Sequence, residues 1–259
     1  MVCSNGVVWH DLTALGGIFL LAAGASALNQ YQERELDEKM DRTRRRPIPQ
    51  GIISPLTALF LSILLIVAGL TLFLGLHLRT CLYLGLFNIL WYNGLYTWLK
   101  KITPFAVIPG ALTGVIPVLM GWSAAGGSVF APEALMLAIL LFLWQVPHFW
   151  LLMVKYADEY RKANLPVVSD VFSERQIRTV TFSWLAASSV ASIGLLWFRM
   201  ILSIQGEIVV ILLSVAMVIL AAAQLFIVKE RHYRLLYLGV NLYLFLVLAL
   251  LILENIKVL

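Results

Sequence analysis

Asn29-Gln-Tyr-Gln-Glu33-Arg-Glu-Leu-Asp37-Glu-Lys-Met-Asp41-Arg-Thr43-Arg-Arg-Arg46-Pro47 is the stretch from which this chain is read. Asn29, Glu33, Asp37 and Asp41 stand at successive four-residue steps, and on a helix such positions lie one above the other. The result is a column of oxygen ligands. Asn29 still sits inside an apolar run, where an unpaired polar group is costly. Arg42, Arg44, Arg45 and Arg46 follow at once. Oxygen ligands for a hard cation, next to guanidinium groups, suit a diphosphate held through Mg²⁺. The plainer alternative is a solvated, charged helix end.

Upstream and downstream of this stretch the chain is apolar. Of 259 residues, 61% are hydrophobic and only 13% charged, which is foreign to a soluble domain. Apolar runs long enough to cross a bilayer recur at 12–29, 53–76, 81–98, 104–122, 132–152, 179–198, 206–228 and 235–253. Backbone groups in hydrocarbon must bond within their own segment, so these runs are expected to be helices. They are too long and too uniformly apolar for the strands of a β-barrel. The expected fold is therefore all-α: one polytopic transmembrane bundle of about eight helices over residues 1–259.

The net charge of +5 does not point to nucleic acid, because the loops at 30–51, 99–103, 154–178 and 229–234 hold 16 of the 19 Lys and Arg residues. Positive charge on alternate loops orients a membrane protein. It predicts that these four loops are cytoplasmic and both termini outside. Cys3 and Cys81 are expected to be unpaired thiols. Trp91, Tyr92, Tyr96 and Trp98 read as boundary anchors, and the paired Lys100 and Lys101 as topology signals. The run after them carries Pro104, Pro109, Pro117, Gly110, Gly114 and Gly121, a content that kinks a helix or lets it pack closely.

A second hydrophilic loop follows Trp144-Gln-Val-Pro147-His148-Phe-Trp150 and carries Lys155, Asp158, Glu159, Arg161 and Lys162. Alone it reads equally well as a salt-bridged surface. On the same membrane face as the first cluster it offers a second carboxylate site, and two such sites facing each other can hold Mg²⁺ on a diphosphate. Metal binding makes diphosphate a good leaving group, and an allylic diphosphate would ionise into an apolar, water-poor bundle. His148 is either a packed interfacial residue or a contact with the acceptor. A coarse two-fold pattern runs along the chain: apolar helix, acidic-basic loop, hydrophobic hairpin.

The chain resembles the UbiA-type intramembrane prenyltransferases, and among them the branch that farnesylates haem. The resemblance lies in Ala27-Leu28-Asn29-x-Tyr31-x-Glu33-Arg34-x-x-Asp37-x-x-Met40-x-Arg42-Thr43-x-x-Arg46-Pro47. It continues in Tyr96-Thr97-x-Leu99-Lys100-Lys101-x-Thr103-Pro104, in Gly121-Trp122 and in Pro147-His148-Phe149-Trp150 with Asp158-Glu159-Tyr160-Arg161-Lys162-Ala163. It implies helices around a central cavity open to the cytoplasmic side, in the inner membrane of a bacterium. It implies Mg²⁺, farnesyl diphosphate and haem B as partners, with lipid around the helices and haem O as product. By motif position Asn29, Glu33 and Asp37, with Asp41 one turn on, would serve the first Mg²⁺–diphosphate site, and Asp158 and Glu159 the second. Arg34, Arg42, Arg46, Lys100 and Lys155 would hold the diphosphate and His148 would face the haem. The resemblance also implies that the family's usual first helix is missing here. Competing expectations are the same chemistry on a quinone precursor or another tetrapyrrole, an inactive truncated paralogue, and an ion-coupled transporter, which would carry its acids near the bilayer midplane.

Overall fold

A computed structural model describes residues 9–228 and 233–256, whose regular structure is all helical, with turns and loops between the helices. The helices are α1 (Trp9–Asp37), α2 (Pro55–Gly75), α3 (Arg79–Ile89), α4 (Val107–Ala124), α5 (Pro132–Lys155), α6 (Ala157–Lys162), α7 (Glu174–Trp197), α8 (Ile204–Ala222) and α9 (Tyr233–Ile256). Cys3, Lys229, Arg231, His232 and Lys257 lie outside the described residues. Helix starts follow from local chemistry. Ser54 caps α2, accepting from the Thr57 amide at 3.1 Å with Pro55 at the first position, and Ser173 and Gln176 form a reciprocal capping box on α7.

Seven of the predicted apolar runs form helices long and apolar enough to cross a membrane: α1, α2, α4, α5, α7, α8 and α9. The run predicted over 81–98 is also helical, but it is set apart. After Ile89 it continues as a π-helical segment over Leu90–Tyr96 and one further turn over Thr97–Leu99. Asn88, Asn93 and several Tyr and Trp side chains dilute its apolar character. The helix predicted over 12–29 continues to Asp37, so the oxygen ligands up to that residue share its geometry.

The chain divides into two compact units. The first runs as far as Gly127 and adds Tyr156–Val167; α1 packs on α2, α2 on α3, α3 on α4 and α4 back on α1. Its core gathers Ala14, Leu21, Phe73, Cys81, Ile116 and Met120. The second comprises Ser128–Lys155 and everything from Val168 onward, with α5, α7, α8 and α9 closing a ring in the same way. Within it Tyr243 bonds Ser192 and Ser214, and Glu254 takes the Ser203 amide at 2.9 Å and its hydroxyl at 2.8 Å. Such bonds join helices where apolar burial alone gives no preference over lipid. Outward faces are apolar instead: Ile208, Leu212, Val215 and Ile219 form an exposed stripe on α8.

Backbones approach closely where α1 crosses α2. A Cβ on Gly69 would lie 2.9 Å from the Gly17 carbonyl oxygen, and one on Gly24 would lie 2.9 Å from the Ile66 nitrogen. Of the glycines noted in the sequence, Gly110 receives the Tyr96 ring, while Gly121 faces open space. Tyr96 is thus packed inside the first unit, as is Trp91, whose indole donates to the Pro109 carbonyl at 2.7 Å. Trp98 remains exposed, as a boundary anchor would be. Since backbone cannot yield as a side chain does, Gly69→Val should destabilise the protein by about 2 kcal/mol. A fall of several degrees in the melting temperature of the detergent-purified protein checks this, against Gly75→Ala as a control in open space.

Candidate functional site

One stripe of α1 is buried from end to end. Leu21 and Ala25 carry it through the apolar half, and Asn29, Glu33 and Asp37 continue it at 6%, 7% and 1% exposure. The four-residue step keeps all five on one face. The polar half of the stripe is therefore as buried as the apolar half, and carboxylates so placed need partners.

Each acid has one. Lys100 donates to Glu33 Oε2 at 2.7 Å and stands 2.6 Å from Oε1. Its ammonium also lies 5.2 Å from the centre of the Tyr96 ring. Burial lowers the Lys100 pKa, and the Glu33 charge opposes that shift. Arg46 reaches both oxygens of Asp37, at 2.9 and 2.8 Å. Asp37 ends α1, where the helix dipole disfavours an anion, so this cation answers both burial and the dipole. Two carboxylates and two cations, one turn apart, balance in charge.

Beyond Asp37 the chain leaves the helix. Thr43 donates its hydroxyl to the Asp37 carbonyl at 3.0 Å, and Met40 turns into a small core with Leu36, Tyr160, Ala163 and Leu165. The four-residue column expected to reach Asp41 thus stops at Asp37. Asp41 lies in the following turn, half-exposed, and pairs with Arg44 at 3.1 Å. Docking of Met40 brings the two charged loops together. Glu159 accepts from the Arg42 amide at 3.0 Å, and the Arg42 guanidinium sits 5.7 Å over the Tyr156 ring. Burial raises the Tyr160 pKa, against the pull of Arg42.

Other residues singled out in the sequence fall elsewhere. Arg34 bonds the Tyr31 carbonyl and Glu35 on its own helix. Asp158 has a side chain 92% exposed and pairs with Arg161 one turn along α6. Lys155 and His148 belong to the second unit, where Lys155 ends α5. His148 is ringed by Trp144, Phe149 and Tyr237 at centroid distances of 4.7 to 5.2 Å. Its Nδ1 is buried without a hydrogen bond, and Asn241 is the polar neighbour of the imidazole.

Four side chains near the acids have no role in the reading of the sequence, although Thr97 and Tyr160 stand in its motifs: Gln32, Asn93, Thr97 and Tyr160. Asn93 donates to the Ala25 carbonyl and to Gln32 Oε1, while Gln32 returns a bond to the Asn93 carbonyl. Thr97 accepts from Asn29 Nδ2 at 3.1 Å. Residues 93, 97 and 100 thus meet 25, 29 and 33 in the same order, so the two helices run in the same direction. Polar residues inside an apolar run were the available signal for Asn93 and Thr97.

Among the described residues no three His, Cys, Asp or Glu side chains cluster as metal ligands. Mg²⁺ needs less than that: it commonly takes one or two carboxylates and fills its shell with phosphate oxygens and water. Glu33 Oε1 is buried against the Lys100 ammonium at 2.6 Å, and Asn29 turns Nδ2 toward Thr97 and so Oδ1 away from it. The oxygen-only donor set of Asn29, Glu33 and Asp37 fits this ion.

A model of the UbiA prenyltransferase family matches residues 4–248. The chain is 46% identical over 164 residues to a protoheme IX farnesyltransferase of Geobacter sulfurreducens, covering 63% of this chain and 59% of that protein's length. It is 37% identical over 225 residues to the protoheme IX farnesyltransferase of Nitratidesulfovibrio vulgaris strain DP4, covering 86% and 77%. In fold it is similar to a UbiA homologue from Archaeoglobus fulgidus, solved bound to DMAPP and Mg²⁺, with a TM-score of 0.69 over 98% of this chain and 90% of the other at 17% identity. With the family model matched over nearly its whole length and a relative 37% identical over 86% of it, this chain belongs to the UbiA prenyltransferase family.

Proposed function

We infer that this protein transfers a farnesyl group from farnesyl diphosphate to a vinyl group of haem B, giving haem O, at the inner membrane of a bacterium. The observation that carries the reading is the buried set Asn29, Glu33 and Asp37 with Lys100 and Arg46 held against it. Opposite charges already gathered in a water-poor place suit a ligand that brings both signs, a metal-bound diphosphate. The haem acceptor is supported by the names of the relatives from Geobacter and Nitratidesulfovibrio, and the prenyl diphosphate with Mg²⁺ by the ligands of the Archaeoglobus homologue.

Asn29, Glu33 and Asp37 would hold Mg²⁺, which neutralises the departing diphosphate. Lys100 and Arg46 carry the remaining positive charge toward the anion, and Arg34, Arg42 and Lys155 are further candidates for it. Asp158 and Glu159 would supply the second carboxylate site, with Asp41 nearby on the first loop. The C1–O bond of the substrate breaks with its electron pair going to diphosphate. The vinyl group attacks the allylic carbon, and the resulting cation next to the porphyrin takes water and releases a proton. His148, in its aromatic setting, would contact the haem. By the positive-inside bias of the basic loops, the diphosphate end would lie at the cytoplasmic face, with the cavity opening there.

Purified protein given farnesyl diphosphate, haem B and Mg²⁺ should form haem O, identified by mass. Product only with an aromatic acid, and none with haem, would overturn the acceptor. Asp37→Asn should lower Mg²⁺-dependent diphosphate release roughly 100-fold, since a charge that acts in the transition state is lost. Unchanged release would rule out the metal site. Removing the Glu33–Lys100 pair together, as Glu33→Gln with Lys100→Met, leaves no buried charge unpaired. The double variant should fold yet bind inorganic diphosphate at least about 10-fold more weakly in a calorimetric titration.

A further inference from the structure

We propose that Thr97 is a positioning residue that fixes which atom of Asn29 faces the metal, and that the π-helical turn before it exists in this fold to make that possible. The proposal rests on the Mg²⁺–diphosphate reading and gives a part in it to Thr97, a residue of the second motif to which that reading assigns no role.

An asparagine amide has two ends of nearly equal size and opposite chemistry. Oδ1 can ligate a cation; Nδ2 carries two hydrogens and cannot. A buried Asn29 free to turn about its last torsion would present the wrong end in part of the population. Something in the fold must choose.

The choice lies in one proton. Thr97 Oγ1 stands 2.9 Å from the Tyr92 carbonyl oxygen and 3.1 Å from Asn29 Nδ2. Two oxygens 2.9 Å apart repel unless a hydrogen lies between them, and a carbonyl has none to give. The single hydroxyl hydrogen of Thr97 therefore points at Tyr92. Its oxygen is left able only to accept, so the group across from it must be a donor. Asn29 answers with Nδ2, and Oδ1 is turned the other way.

The π-turn supplies the geometry. Over Leu90–Tyr96 the backbone is wound one residue wider per turn, and the Thr97 amide bonds the Tyr92 carbonyl five residues back. That carbonyl is thereby brought within reach of the Thr97 side chain as well. The segment is also keyed to α1 from its other end, through Asn93 to the Ala25 carbonyl and to Gln32. Thr97 itself is fully buried, which keeps water from replacing either bond. Widened turns of this kind often mark functional places in helices.

The test uses Thr97→Val, which keeps the shape of the side chain and removes both the donor and the acceptor. The Tyr92 carbonyl retains the Thr97 amide as partner, so no buried oxygen is orphaned. Binding of Mn²⁺ in the presence of inorganic diphosphate is followed by electron paramagnetic resonance on the full-length protein in detergent. Thr97→Val should weaken Mn²⁺ binding about 10- to 100-fold, as loss of a group that orients a metal ligand does. Thr97→Ser should restore it to within about 3-fold, because the hydroxyl returns. In an Asn29→Ala background, Thr97→Val should cost nothing further. If the valine variant does not fold, Thr97→Ala takes its place in the same series. Wild-type affinity in the hydroxyl-free variant, additive losses in the double variant, or a serine variant as weak as valine would each overturn the role of Thr97 while leaving the metal site standing. A wild-type protein that binds no Mn²⁺ with diphosphate would overturn the metal reading and this inference together.

Discussion

Two carboxylates are buried at the end of an apolar helix, and the first unit is arranged around making that tolerable. An isolated ionised acid at the exposure of Asp37 would take up a proton or unfold its surroundings. Glu33 is instead met by Lys100 and Asp37 by Arg46, two cations that come from different parts of the chain. Removing one member of such a pair typically costs about 3–5 kcal/mol, while a wholly apolar replacement is often neutral. The pairs are thus not economical as structure, and a chain that keeps them has a use for the charges.

The same constraint accounts for the loops. Arg46 reaches Asp37 only because the chain turns back sharply after α1, and that turn is held by the Thr43 hydroxyl on the Asp37 carbonyl and by Met40 in its apolar socket. The socket is built from Ala163, Leu165 and Tyr160, so the second charged loop is a wall of the first. Lys100 reaches Glu33 because the π-wound end of α3 lies along α1 residue by residue. Each cation is placed by an apolar or backbone contact a few residues from it rather than by its own charge, which suits a site whose charges must be able to exchange partners.

Much of this was visible in the chain itself. The eight apolar runs, the four-residue step from Asn29 to Asp37 and the acidic-basic character of the two loops are periodicity and composition, which a helix in lipid translates directly into faces and spans. Reading Asp41 into the same column extended a local rule one turn too far. Nothing local announces that Met40 will be buried against residues more than a hundred positions away, and it is that contact which takes Asp41 off the helix. Lys100 and Lys101 look alike in sequence. One is buried on Glu33 while the other lies over the exposed Trp98 ring, 4.5 Å from its centre.

Composition and periodicity suffice to make the chain a set of membrane helices, one of which carries oxygen ligands on a single face, because backbone hydrogen bonding in hydrocarbon leaves no alternative to a helix and its pitch fixes which residues align. Which cation meets which acid, which way the Asn29 amide is turned and where the ligand column ends are set by long-range packing. Those outcomes depend on contacts between residues far apart along the chain, made when α3 lies along α1 and the second charged loop folds over Met40, and no local pattern encodes them.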